Sequence, residues 1–414
     1  MCSQVRMGSP TIHMYATMDV NEKRECKALV YLNEQGTHQN SHRGEGSGVM
    51  FVPKQKNCNM KEIALVVGAS GIVGNNLGQE LIANGWNTFG LARRPKNDIQ
   101  GMQPVAADLL DVANLTDALA DFNPTHVFIT SWMRNETEAE NIRVNGAMVR
   151  NLLNVLSPKR TLQHVALVTG LKHYLGPFDA YAKEGFLPVT PLSEEQQRLE
   201  IENFYYAQED EVYAAAERDG FTWSIHRPHT IIGKATGNLM NMGTTLAVYA
   251  TICKEKALPF RWPGSEAQWK GLSDVTDARV LAKHLLWAAK TEAAHNEAFN
   301  VVNGDYFRWS NLWFKLASWF GIEATGYDGE IKPLQAELSK YQAEWADIAN
   351  KYNLVEPDLN QLASPWHTDL DLGRPIEVMT DMSKSRKLGF LVYQKTEDSF
   401  YDLFGQLRTD RLIP

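Results

Sequence analysis

The sequence predicts an α/β fold: a doubly wound parallel sheet with a smaller, mixed C-terminal substrate-binding cap. Three observations carry that prediction. The β-branched run Ile63–Val67 opens into a turn with glycines at positions 68, 71 and 74. Val73, Leu77 and Leu81 then recur at helical spacing. Beyond this unit, short apolar runs alternate with helical periods as far as Pro228. Alternation of this kind makes a parallel sheet with right-handed crossovers. A short run with no polar alternation reads as a strand covered on both faces.

The chain has 414 residues, 44% of them hydrophobic, and a formal net charge of -8. That length supplies one large core or two modest ones. The acidity argues against nucleic acid and against anionic membrane surfaces as partners. No apolar run approaches the roughly 20 residues that span a bilayer. The cysteines, Cys2, Cys26, Cys58 and Cys253, show no metal-ligand spacing, so no metal is expected. A reduced, cytoplasmic protein fits this usage.

Residues 1–59 are polar and lack a sustained period. They read as a disordered extension or a wrongly assigned start, with Met60 as the natural beginning. Residues 60–235 then form the nucleotide-binding core. Residues 236–414 form the cap, with segments returning to the sheet.

In the first unit, Gly68 takes the tight turn. Gly71 leaves room for a pyrophosphate, and Gly74 lets the helix approach the strand. Ser70, Ile72 and Val73 flank the helix start, whose N–H groups favour phosphate. The second strand, about Asn87 to Ala92, ends in Arg93-Arg94. Two guanidinium groups there suit a ribose 2′-phosphate, where an acid would suit a 2′-hydroxyl. NADPH is therefore the expected cofactor.

A third strand, Gln103 to Ala107, ends at Asp108, which either meets the adenine or caps the next helix. The fourth, Thr125 to Thr130, runs into Ser131-Trp132-Met133. Strand carboxyl ends face the ligand crevice, so Trp132 and Met133 are pocket candidates. A helix follows from Glu136 to Leu156, and the fifth strand is His164 to Val168. A loop is expected from there to Pro191, then a helix over Glu194 to Asp219 and a sixth strand at Thr222 to His226. Past Pro228 the pattern loosens. Helix is expected over Val275 to Thr291 and Trp309 to Phe320, and strand over Ala298 to Val302.

A nicotinamide enzyme of this fold needs a proton donor beside the hydride acceptor. The usual arrangement is a YxxxK helix, and no Tyr in this chain has Lys four residues on. Tyr205 is followed by Glu209, Tyr206 by Asp210 and Tyr213 by Glu217. Either the protein is not a catalyst, or its Tyr and Lys come from separate segments. Lys172, leaving the fifth strand, and Tyr205 or Tyr206 on the next helix are the candidates.

Several ordered strings resemble one known family. Thr169-Gly170-Leu171-Lys172-His173-Tyr174-Leu175-Gly176-Pro177-Phe178 resembles its TGxKHYxGPF segment. Asn203-Phe204-Tyr205-Tyr206 with Glu209-Asp210 resembles NFYYxxED, and Thr222 to Pro228 contains a TWSxHRP string. These belong to the progesterone 5β-reductase/iridoid synthase-like family, an atypical branch of the extended short-chain dehydrogenases. The resemblance covers about Met60 to Pro414.

It implies an NADPH-dependent reductase of enone or enal C=C bonds, with Tyr205 and Lys172 as the catalytic pair. It implies Arg93 and Arg94 at the 2′-phosphate and Asp108 and Leu109 at the adenine. Ser131 and Ile231 would lie at the nicotinamide. Trp132, Met133, Met240, Met242 and Trp366 would form an adaptable apolar wall for a small carbonyl-conjugated substrate. Pairing of crossover helices makes a homodimer the expected assembly. Val168 and His229 depart from the Gln and Gly of the family's plant members. The rival readings are a carbonyl reductase, a sugar epimerase and a noncatalytic NADP sensor.

Overall fold

The computed structural model describes residues 62–95, 99–177, 188–235 and 240–414. The expectation for residues 1–59 lies outside them.

Seven parallel strands form the central sheet: β1 (Ile63–Val67), β2 (Asn87–Ala92), β3 (Gln103–Ala106), β4 (His126–Ile129), β5 (His164–Val168), β6 (Thr222–Pro228) and β7 (Glu297–Val301). Their spatial order is β7-β6-β5-β4-β1-β2-β3. Val67 pairs with Leu91 on one side and Ile129 on the other. The order reverses between β1 and β4, where an open α/β sheet forms its ligand crevice.

The apolar run of β1 has a direct cause. Ala64 and Val66 face one helical layer, formed by α1 (Ile72–Ala83) and α7 (Ala278–Lys290). Leu65 and Val67 face the other, formed by α3 (Glu138–Leu156) and α5 (Phe204–Asp219). All four side chains are fully buried. Neither face of the strand meets water, so neither can be polar. A short α2 (Val112–Ala118) and a single-turn α4 (Lys172–Leu175) complete this half.

The C-terminal region is mainly helical. Its core gathers Trp262, Trp309, Trp313 and Trp345 around α6 (Met242–Glu255). Further helices are α8 (Trp309–Phe320), α9 (Gln342–Tyr352), α10 (Pro365–Leu372) and α11 (Thr396–Thr409). The region is stitched to the sheet by α7, which packs beside α1, and by β7, which pairs with β6. Among the described residues no helix is long and apolar enough to cross a membrane.

Two local expectations are corrected. The helix expected from Glu194 begins instead at Phe204, capped by the Asn203 side chain, which accepts from Tyr205 N at 3.0 Å. The preceding segment is held by tertiary bonds. Glu194 Oε1 accepts from Asn300 N at 2.7 Å, and Arg198 reaches Asp210 at 2.8 Å. These long-range bonds override a good helical composition. The loop expected after β5 instead starts with α4.

Candidate active site

The glycine turn sets the first wall of the cleft. Gly68 has φ +84°, and a Cβ there would lie 2.6 Å from Ser131 Cβ. Only glycine fits both that conformation and that neighbour. A Cβ on Gly74 would fall 2.3 Å from Gly68 O, so α1 packs against the turn at backbone distance. At Gly71 the nearest atom would be 3.3 Å away. Gly71 is the N-cap of α1 and offers no side-chain cap. The first-turn N–H groups therefore open toward the cleft with the helix dipole behind them. Ser70, Gly71, Ile72 and Val73 line a cavity of about 820 Å³. An uncapped helix end behind a side-chain-free turn fits a pyrophosphate.

A second cavity of about 670 Å³ adjoins it, with Arg93, Arg94, Asp108 and Leu109 in its lining. Ser131 and Trp132 border both cavities. The Asp108 carboxylate accepts from Leu110 N at 2.9 Å, and Asp111 is the residue that caps α2.

The fold brings Lys172 and Tyr205 to the larger cavity from separate elements. Lys172 opens α4 just past the carboxyl end of β5. Tyr205 sits in the first turn of α5. The Lys172 ammonium lies 5.8 Å from the Tyr205 ring centroid, 4.8 Å from that of Phe204 and 4.9 Å from that of Trp132. Trp132 and Phe204 are stacked at 5.1 Å. Three aromatic rings thus surround a largely desolvated cation. Sequence reading did not assign Phe204 this part. Near the Tyr205 hydroxyl the backbone of Gly170 comes close: a Cβ there would sit 3.3 Å from the oxygen.

One side chain ties the two elements together. Asn203 donates from Nδ2 to Lys172 O at 2.7 Å and accepts from Tyr205 N at 3.0 Å. Tyr206 has a different task. Its hydroxyl donates to His173 O at 2.6 Å and accepts from Leu199 N at 3.0 Å. Beneath them, the fully buried Glu209 holds Arg198 at 2.8 Å and Arg227 at 3.3 Å. Burial alone would raise its carboxyl, but His173 and the two guanidinium groups outweigh that and hold it down to about 2.

The remaining candidates separate. Ile231 and Met240 line the larger cavity, and Met133 lines the smaller one. Met242 does not line the cleft. It is 2% exposed in the C-terminal core, because the first turn of α6 faces inward there. Trp366 is not among the lining residues either; its ring carries the Arg134 guanidinium at 3.9 Å. Both departures from the family pattern, Val168 and His229, line the larger cavity. So do Asp371 and Arg374, which sequence reading missed. They lie more than 130 residues beyond His229 in the chain, with no motif to announce them.

The PRISE-like Rossmann-fold domain matches residues 107–414. The (S)-8-oxocitronellyl enol synthase of Nepeta cataria is 37% identical over 368 residues, covering 86% of this chain and 94% of that protein. The 3-oxo-Δ(4,5)-steroid 5β-reductase of Arabidopsis thaliana is 37% identical over 367 residues, with the same coverage of both. The fold is also that of UDP-glucose 4-epimerase from Thermotoga maritima, with a TM-score of 0.59 and 12% identity over 84% of this chain and 99% of that one. A short-chain dehydrogenase/reductase superfamily protein from Agrobacterium tumefaciens, solved with bound NAD, gives a TM-score of 0.58 and 15% identity over 85% and 98%. On the family match and the extent of these identities, the chain belongs to the PRISE-like Rossmann-fold family.

Proposed function

We propose that the protein is an NADPH-dependent reductase of C=C bonds conjugated to a carbonyl, acting on small enones or enals. The observation that carries this reading is the meeting of Lys172 and Tyr205 at one cavity with the glycine turn. Relatives of similar length bear names of a steroid 5β-reductase and of enol synthases. The preference for NADPH over NADH rests on Arg93 and Arg94 at the end of β2. Residues 60–235 are read as the cofactor half and 236–414 as the substrate half, supported by the cleft residues Met240, Asp371 and Arg374. A cytosolic homodimer paired through α3 and α5 completes the reading. Light scattering at twice 46.6 kDa tests the pairing.

When bound, the reduced nicotinamide supplies the hydride that reaches the substrate β-carbon. Negative charge then grows on the carbonyl oxygen as an enolate. The Tyr205 hydroxyl donates a hydrogen bond to that oxygen, a contribution of a few kcal/mol for a preorganised donor. Lys172 places a positive charge beside the phenol and makes it a stronger donor. Trp132 and Phe204 keep that ammonium fixed and poorly hydrated. The α-carbon takes its proton from solvent.

The test is NADPH oxidation with 2-cyclohexen-1-one and a linear enal, with product identification. Saturated ketone or aldehyde supports the reading. Allylic alcohol supports the carbonyl reductase instead. Tight NADPH binding without turnover supports the sensor.

A further inference from the structure

A further cavity of about 430 Å³ lies in the C-terminal region, and it shares no described lining residue with the two that form the cleft. That size suits a small organic molecule. Three segments wall it. The last turns of α6 bring Tyr249, Ile252 and Cys253; the other two walls are residues 258–261 and residues 332–341.

The floor is apolar and buried. Tyr249, Ile252, Cys253 and Leu334 are each no more than 5% exposed. The polar atoms of this floor are already engaged by backbone. The Tyr249 hydroxyl accepts from Arg261 N at 3.2 Å and donates to Arg261 O at 3.4 Å, and the Cys253 thiol donates to Pro259 O at 3.7 Å. Burial pushes that thiol up to about 12, so it stays uncharged. Such a floor accepts hydrocarbon and puts no charge against it.

The exposed part of the lining is basic. It carries Arg261, Lys332 and Lys340, with Glu337 as the one carboxylate among the described lining residues. Glu337 is engaged: it accepts from Lys340 Nζ at 2.7 Å and from the Tyr341 hydroxyl at 3.2 Å. Lys332 donates to Asp328, which lies outside the lining. An ammonium has three donors, so each lysine keeps two beyond these bonds. Exposed pairs of this kind are weak and re-aim at little cost. The Arg261 guanidinium has no ion-pair or hydrogen-bond partner among the described residues. With Asp328 included, three cations meet two carboxylates, and the net +1 is that of Arg261. A single net charge suits a monoanion, and the planar guanidinium fork matches a carboxylate.

We propose that this cavity is a second ligand site, for a small molecule with one medium-length alkyl chain and a carboxylate head. The chain lies on the floor formed by Tyr249, Ile252, Cys253 and Leu334. The head meets Arg261, with Lys332 and Lys340 beside it. The site stands apart from the cleft and does not depend on the reductase reading.

The test is calorimetric titration of the full chain, in excess NADP⁺, with octanoate, octanol, octylammonium and hexanoate. Octanoate should bind at one site per chain and about tenfold more tightly than octanol, the equivalent of one charge-assisted hydrogen bond. Octylammonium should bind more weakly than octanol. Hexanoate, two methylenes shorter, should bind about tenfold more weakly than octanoate. Arg261→Gln should bring octanoate to the level of octanol and leave octanol unchanged. Ala336→Trp and Leu258→Trp each set an indole at an exposed part of the lining. Either should abolish octanoate binding while NADPH affinity holds, and two plugs from separate segments keep the test alive if one fails to fold. Octanol binding as tightly as octanoate overturns the proposal. So does octanoate binding that survives the plugs, which would put the ligand elsewhere. Absence of octanoate binding at millimolar concentration overturns it as well.

Discussion

Replacing Glu209 with Gln should show how the Lys172–Tyr205 pair is held. Glu209 lies on α5, one turn beyond Tyr205, and its fully buried carboxylate holds Arg198 and the buried Arg227. Arg227 also donates to the Tyr174 hydroxyl at 3.1 Å, linking α5 through β6 to the segment that carries Lys172. The amide keeps the shape and removes the charge, leaving one buried guanidinium without its counter-ion. The magnitude follows from two directions. A carboxyl held at about 2 instead of 4.5, at about 1.4 kcal/mol per pH unit, corresponds to about 3 kcal/mol. Removing one partner of a buried ion pair typically costs about 3–5 kcal/mol. The sign with pH is definite. Because the folded value is depressed, this stabilisation is complete above pH 4.5 and disappears as pH falls toward 2. The assay is the urea midpoint of both proteins between pH 7 and pH 3. The gap should be widest at neutral pH and narrow with acid, and enone turnover should fall in step with the loss of order around Lys172. A variant within 1 kcal/mol of wild type, or a gap independent of pH, would refute the reasoning.

Other expectations concern the sheet and the turn. Buried histidines form a chain: His284 to His226 at 3.0 Å, His226 to Ser224 at 2.9 Å and Ser224 to His164 at 2.8 Å. Burial lowers all three histidines, His284 to about 3. Their folded values lie below the unfolded one, so this stability is complete above pH 6.5 and lost as pH falls; the melting temperature should drop between pH 6.5 and 5, and a flat profile would contradict this. Ser224→Ala leaves two buried ring nitrogens unpaired and should cost about 2 kcal/mol by thermal or urea unfolding. Gly74→Ala drives a Cβ into Gly68 O and should abolish folding or NADPH binding, whereas Gly71→Ala should fold and weaken NADPH binding; circular dichroism and calorimetry separate them. Arg93→Asp should lower the NADPH-to-NADH ratio of kcat/KM by about a hundredfold, the loss of a charge-assisted phosphate contact of 2–3 kcal/mol.

The strands were legible because water reaches neither face of most of them. Ile63–Val67 and His164–Val168 therefore read as unbroken apolar runs with sharp ends. The one-sided apolar stripe of Trp309–Phe320 was legible for the opposite reason, since one face meets solvent and the other packs against Trp262 and Phe404. The start of α5 was not legible. Glu194 to Arg198 is as helix-friendly as the helix itself, and what stops it is Asn300 and Asp210, distant in sequence. The Lys172 and Tyr205 segments were found by their strings, but the spacing of 33 residues says nothing about their meeting. That meeting depends on Asn203, which bonds both. Two cleft residues were invisible for a related reason. Asp371 and Arg374 reach the cleft only because the C-terminal helices fold back over the sheet. Met242 illustrates the converse: a methionine beside a cleft residue in sequence, yet turned into a separate core.

The role of the Tyr205 phenol is tested most directly by Tyr205→Phe, measured for both enone turnover and NADPH affinity. The hydroxyl is removed while the ring against Phe204 and Lys172 is kept. A fall in kcat of about a hundredfold or more is expected, as for other lost oxyanion donors, with NADPH affinity within about twofold of wild type. Near-normal turnover in that variant would contradict the central claim that this phenol stabilises the reacting carbonyl.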